Sequence, residues 1–300
     1  MFDTMNIKNE VSQLPKQAKE LQETPFNWCG FRWIPHFSDS SQPPIYYYSK
    51  VKNLYLKLVG HQLFVSNSLH KLYHNNNYIP FTYSQVVEAF KTLNKHLPIN
   101  ILDSKIIKIS AGVVINENPQ KIFNEWQYFL GKEYLPMKDR NKIYGAKYHL
   151  TDYQIKGYDK TFEVKNHNQV KLDKPYFRFE IDNCKPIVLN NKTNNIGIHT
   201  VNDLLDREKF KKIGNMILDR YIKIEKVPKL DMSTLSLKEK RIYAEINNHT
   251  VKESIRKQHP DTYKKDRKEY SNFIKRYDNS EFQNQVINKL KEQIIYSTNN

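Results

Sequence analysis

Between residues 154 and 180 the chain sets one tyrosine among lysines, then adds a strand that carries an arginine and a glutamate on one face. The first segment reads Gln154-Ile155-Lys156-Gly157-Tyr158-Asp159-Lys160, and the second Tyr176-Phe177-Arg178-Phe179-Glu180-Ile181. Side chains alternate along a strand, so Lys156, Tyr158 and Lys160 share one side of the first segment. In the second, Phe177, Phe179 and Ile181 face one way and Tyr176, Arg178 and Glu180 the other. These are parts for moving a phosphodiester onto a phenol. Cations lower the phenol pKa and neutralise phosphate, while a carboxylate can hold a divalent metal that polarises it. The plainer alternative makes Tyr158 one packed tyrosine of twenty, and Arg178 with Glu180 an ion pair within the sheet. A second candidate is His70-Lys71 followed by Asn75-Asn76-Asn77, either a phosphate-contacting turn or a polar loop.

Other chemistries lack their residues. The ten histidines never stand two apart, and there is no His-Glu-x-x-His. Eight glycines in 300 residues leave no phosphate-cradling loop, and no Ser-His-Asp arrangement stands out. Cys29 and Cys184 match no zinc or redox spacing and read as free thiols of a reducing compartment. The first residues show no basic segment leading into an apolar run, and no stretch approaches the roughly 18 apolar residues of a membrane span. A cytoplasmic protein without membrane contact is expected. The formal charge of +16 attracts polyanions, and with the aromatic richness it points to nucleic acid over the plainer alternative, a lysine-rich composition that accompanies abundant Asn and Ile.

The elements that must position these residues are legible in outline. Leu54, Leu56 and Leu58 alternate with Tyr55 and Lys57, a half-buried strand; Gly60-His61-Gln62 turns it and residues 63–66 return. Thr82 with Gln85 forms a capping box, and Val86, Val87, Phe90, Leu93 and Leu97 give an apolar helix face that stops before Pro98. Residues 106–115 read as a central strand. Helices are predicted over about 120–130, with Ile122, Phe123, Trp126 and Leu130 inward, and over 202–222, with Leu205, Phe210, Ile213, Ile217 and Tyr221. The pattern predicts an α+β fold, mainly an antiparallel sheet with helices packed on one face. It divides into a domain over 1–226 and a basic helical C-terminal region over 227–300, with Pro228 in the linker. Tyr263, Arg267, Tyr270, Ile274 and Tyr277 recur at helical spacing in that region, which is read as a solvated or a DNA-contacting face.

The order of these segments resembles the gene II/X family of phage and plasmid rolling-circle replication initiators. Met1-Phe2-Asp3-Thr4 looks like its opening strand, and Ser68-Leu69-His70-Lys71 with the asparagine turn is similar to its lysine-bearing segment. The helix 82–97, the strand 106–115 and Asn116-Glu117-Asn118-Pro119 follow in the family's order. Lys156-Gly157-Tyr158-Asp159-Lys160 is similar to its Tyr-x-Lys nucleophile motif. Tyr176-Phe177-Arg178-Phe179-Glu180 resembles its Arg-Phe-Glu strand, and Ile196-Gly197-Ile198-His199-Thr200 its next loop. The likeness runs over about four-fifths of the chain and rests on segment order more than on any one motif.

That resemblance implies a Rep-nickase-like fold and a replication initiator that nicks one strand of an origin. Tyr158 would be the nucleophile, leaving a 5′-phosphotyrosine link and a free 3′-hydroxyl, with Lys160 neutralising charge. Glu180 and Asp159 would hold Mg²⁺ or Mn²⁺, and His70, Lys71, Lys156 and Arg178 would bind nucleic acid. Origin DNA, a host helicase, a host polymerase and a second copy of the chain are the implied partners. One position departs from the family. An acidic residue usually stands in the strand matching 106–115, where this chain has Lys108-Ile109-Ser110. Either Asp159 or Asp182 replaces it, or the chain is a catalytically silent DNA-binding protein. An RNA-binding protein using the same basic surface is the alternative from another class.

Overall fold

The computed structural model describes residues 1–39, 42–97, 99–226, 230–277 and 281–300. Pro98 and Pro228, expected as a helix stop and a linker, lie outside them. Along the first half run β1 (Phe2–Glu10), α1 (Lys16–Lys19), β2 (Phe26–Trp28), β3 (Phe31–His36), β4 (Tyr46–Val51), β5 (Leu54–Val59), β6 (Gln62–Ser68), α2 (Leu69–His74) and α3 (Tyr83–Asn94). Next come β7 (Lys105–Asn116), α4 (Pro119–Phe123), β8 (Trp126–Phe129), β9 (Lys132–Glu133), β10 (Leu135–Asp139), β11 (Lys142–His149), β12 (Gln154–Asp159), α5 (Lys160–Asn168) and β13 (Tyr176–Cys184). The chain ends with α6 (Pro186–Leu189), α7 (Val201–Leu204), α8 (Arg207–Ile222), β14 (Glu225–Lys226), α9 (Leu237–Asn247), α10 (His249–Gln258), α11 (Pro260–Tyr277) and α12 (Glu281–Asn299).

The protein is α+β, built on an antiparallel sheet of eleven strands in the order β10-β11-β12-β13-β7-β1-β6-β5-β4-β3-β2. Two halves of one plan meet at β1 and β7. From β1 the chain runs to the far edge and steps back through β2–β6; from β7 it runs to the opposite edge and steps back through β10–β13. Within a strand, alternation decides which face is covered. Leu54, Leu56 and Leu58 are buried while Tyr55 and Lys57 between them stay half-exposed. On the covered face Phe2 meets Phe90 of α3 at 6.2 Å, and Phe179 meets Tyr221 of α8 at 5.2 Å. These helices and α12 close one continuous core with the sheet.

Two expected helices differ. The stretch 120–130 is helical only in α4. Trp126, Tyr128 and Phe129 then form β8, between β14 and β9 in a small second sheet. Leu130 and Gly131, at φ of 50° and 76°, make the turn that ends β8. Aromatic residues favour a strand, and here they have a sheet partner. The stretch 202–222 is two helices, because Asp206 accepts hydrogen bonds from the backbone N–H groups of Glu208 and Lys209 and caps α8. The Thr82–Gln85 capping box is present as expected. Beyond residue 226 the chain has two destinations. Leu235, Ile242 and Phe273 join α9 and α11 around a small core of their own, whereas Val286, Leu290 and Ile294 of α12 return to the main core. No helix of the described residues is long and apolar enough to cross a membrane.

Candidate active site

Tyr158 stands in β12 directly opposite Arg178 of β13, and Lys156 stands opposite Glu180. All four side chains lie on the sheet face away from Trp126 and Phe177. Lys160 reaches the same place by another route. It is not a strand residue but the first residue of α5, whose N-cap is Asp159, and its ammonium lies 5.8 Å from the centre of the Tyr158 ring.

Arg178 is the hub and is only 2% exposed. Its Nε donates to Glu180 Oε2 at 2.6 Å, its Nη1 to the Asn77 carbonyl at 2.9 Å, and its Nη2 to Asp3 Oδ2 at 2.6 Å. Asp3 also accepts from Ser68 Oγ at 2.5 Å and from Asn77 Nδ2 at 3.2 Å. Burial alone would raise the Asp3 pKa, but the guanidinium and the Ser68 hydroxyl hold it below the usual carboxylate range. Lys160 is fully buried, donating to Asn77 Oδ1 at 2.8 Å and to Glu163. Burial, with Arg178 nearby, lowers its pKa. Lys156 donates to Asp182 and lies 3.9 Å from Glu180 Oε1. A buried charge is costly unless paired, and here every one is paired.

The phenol of Tyr158 has no hydrogen bond among the described residues. Burial pushes its pKa well above the ordinary value, and Glu180 pushes further, while Arg178 opposes both. On the far side of Tyr144 opens a cleft of about 900 Å³, lined by Lys138, Asp139, Arg140, Lys142, Phe162 and Glu163 as well as Tyr144 but not by Tyr158 itself. The Tyr144 ring lies 6.5 Å from that of Tyr158, and Lys142 sits over Phe162 at 4.0 Å. A largely basic, aromatic cleft, one tyrosine ring away from an unbonded phenol, suits an unpaired nucleic-acid strand.

Of the remaining expected site residues, Asp159 turns away from this cluster, while His70 lies enclosed beside its Asp3 and Arg178. Asp159 accepts from the backbone N–H of Phe162 and caps α5, one residue out of phase with Tyr158, so it does not share a face with Glu180. His70 is buried and stacked on Phe81 at 4.7 Å, and burial pushes its imidazole down to about 2. The ring is therefore held in the interior and not presented on an open surface. Lys71 follows it on α2 and is half-exposed. Ser110, where the resemblance led us to expect an acid, donates its Oγ–H to Asp182 Oδ1 at 2.5 Å, so Asp182 is the carboxylate beside it.

The carboxylates present do not fit a resident divalent ion in this arrangement. Asp3 and Glu180 share one guanidinium, Asp182 and Glu163 each hold a lysine, and no three His, Cys, Asp or Glu converge among the described residues. Sequence reasoning gave no site role to Asp3 or Glu163, and placed Asn77 in a phosphate-contacting or polar turn rather than against Arg178 and Lys160. Glu163 carries a local signal, three residues after Lys160 on one helix face. Asp3 breaks an otherwise apolar strand start, and a buried acid demands a cation somewhere.

Neither the known protein families nor the curated proteins contain a match to this chain. Among solved structures, a rolling circle replication initiator protein from Geobacillus stearothermophilus is similar over 82% of this chain and 84% of its own, at 13% identity and a TM-score of 0.35.

Proposed function

We propose that this protein is a DNA replication initiator that nicks one origin strand through Tyr158. The phenolic oxygen attacks phosphorus, a P–O bond forms to the tyrosine, and the bond to the 3′-oxygen breaks. The phenol gives up its proton and the departing 3′-oxygen takes one up, leaving a 5′-phosphotyrosine and a 3′-hydroxyl for a host polymerase. Arg178, Lys156 and Lys160 would offset the charge that develops on the phosphate. The observation that carries this reading is the unbonded phenol of Tyr158 with these cations around it, one tyrosine ring away from a largely basic cleft. The order of sequence segments supports it.

The test uses the full chain and a supercoiled plasmid carrying the DNA that flanks its own gene. Nicking should leave protein attached to the 5′ end after denaturation. Tyr158→Phe should abolish the adduct and keep DNA binding; an adduct that persists in Tyr158→Phe sinks the assignment. A second reading, a DNA-binding protein without catalysis, is favoured by the burial of the phenol and the pairing of Asp3 and Glu180 with Arg178. It predicts full binding and no adduct in the wild type.

A further inference from the structure

The sheet has a second populated region on the face that carries Tyr158, in the other half of the molecule. β5 and β6 hold the places next to β1 that β12 and β13 hold next to β7. Their uncovered face presents Tyr55 and Lys57 from β5 and Phe64 and Ser66 from β6. β4 adds Tyr46 and Tyr48, and His36 of β3 stands opposite Tyr46. His36 is exposed and the others are half-exposed, whereas their neighbours Tyr47, Leu56 and Val65 are buried on the opposite face.

The rings lie flat against one another. Tyr48 and Tyr55 stack at 5.8 Å with 22° between planes, and His36 and Tyr46 at 4.3 Å with 23°. The Lys57 ammonium sits 4.0 Å over the Tyr46 ring. Strands β2 to β6 contain no Asp or Glu, but they do contain Arg32, Lys50 and Lys57. Lys8 of β1 stands opposite Phe64, and Lys108 of β7 stands opposite Asn6. Lys108 then donates to Asn183 at 2.7 Å, next to the Ser110–Asp182–Lys156 contacts. Cations therefore continue from the aromatic region to the candidate active site, five strand spacings or roughly 24 Å across the sheet.

We propose that this face of β4, β5 and β6 is a platform for single-stranded DNA, whose unpaired bases stack on Tyr48, Tyr55 and Phe64. Flat rings accept any base through its π-face, and strands β2 to β6, basic and without acids, accept the backbone, with Glu10 of β1 at their rim opposite Gln62. A duplex, with its bases already stacked, gains nothing from such rings. The choice of DNA rests on the proposed nicking function; the platform itself rests on the rings and charges. A strand held there would run on across the sheet toward Tyr158.

Anisotropy of a labelled single-stranded oligonucleotide tests this, with a duplex and an RNA of the same sequence alongside. Tyr48→Ala with Phe64→Ala should weaken single-strand binding about fivefold or more, the effect of losing a base-stacking ring. Duplex binding should stay unchanged. Tyr48→Leu with Phe64→Leu keeps apolar volume without a π-face, so it gives the same loss if the alanine variant fails to fold. Unchanged affinity in a folded variant overturns the platform, and so does an equal loss on duplex. Tighter binding of the RNA, lost in the same variants, overturns the assignment to DNA. Adduct formation is scored separately. Absence of an adduct counts against the nicking role of Tyr158 without altering the binding comparison.

Discussion

Strand cutting should accelerate with pH in proportion to the phenolate of Tyr158. An ordinary tyrosine titrates near 10, so at pH 7 about one molecule in a thousand carries phenolate. Tyr158 lies above that value because it is buried and faces Glu180, so its ionised fraction at pH 7 to 9 is smaller still. Far below a pKa, each pH unit multiplies the ionised form by about ten. The logarithm of the single-turnover rate should therefore climb with a slope of about one, or roughly a hundredfold from pH 7 to 9. Glu180→Gln removes a negative charge that opposes the phenolate, so its profile should bend toward a plateau at lower pH than the wild type. The assay is rapid quench at saturating DNA, with the protein–DNA adduct counted on a denaturing gel and Tyr158→Phe as the blank. A flat profile from pH 7 to 9, with the adduct mapped to Tyr158, would refute the reasoning. The phenol would then hand its proton to a group inside the site, and desolvation would not set the barrier.

Four further outcomes follow from the same geometry. In Gly157→Ala the added carbon would lie 2.1 Å from the Trp126 ring, so urea unfolding should show a loss of about 1–3 kcal/mol, and an unchanged midpoint would mean that β8 gives way. Asp3→Asn leaves Arg178 with one carboxylate in place of two, and should cost on the order of 3 kcal/mol by the same measurement. Asp3 and Asp182 titrate below the ordinary aspartate value, so the stability they contribute is complete above about pH 4 and is lost as pH falls through their lower folded values; a midpoint that is level down to about pH 4 and then drops is the expected curve. Because Asp3 and Glu180 already share a guanidinium, about 1 mM Mn²⁺ should leave the melting temperature of the free protein unchanged, and a clear rise would show that Arg178 yields its place to the ion.

Local patterns reached the sheet's alternation and little of its partnering. Phe177, Phe179 and Ile181 face inward and Arg178 and Glu180 face the site, as a period of two requires. The hairpin of Leu54, Leu56 and Leu58 and the helix behind Thr82 were equally legible, since each depends on neighbours within a few residues. Lys160 was not. Its alternation with Tyr158 suggests a strand, but the Asp159 carboxylate supplies a helix cap at that point, and capping won. The pairing of Asp3 and Asn77 with Arg178 was beyond reach for a different reason. They stand 175 and 101 residues from Arg178, and nothing in a strand's period says which distant strand will lie beside it.

One signal for the site was present in the sequence and is interpretable only with the register. The chain has eight glycines, and three of them interrupt strands: Gly112, Gly145 and Gly157. Gly112 stands opposite Glu180, Gly145 opposite Tyr158, and Gly157 precedes Tyr158 against Trp126. A carbon added at Gly112 or Gly145 would lie 2.5 Å from the Cβ of the residue it faces. Glycine in a strand interior weakens it and marks close backbone approach, so this corner of the sheet forgoes side chains where the other half has none to spare. In that half Tyr55 stands between Lys50 and Ser66, full-sized partners that support a surface. The same strand plan thus yields a closely drawn pocket around one tyrosine and a flat aromatic face around another, and the difference lies in the residues placed opposite them.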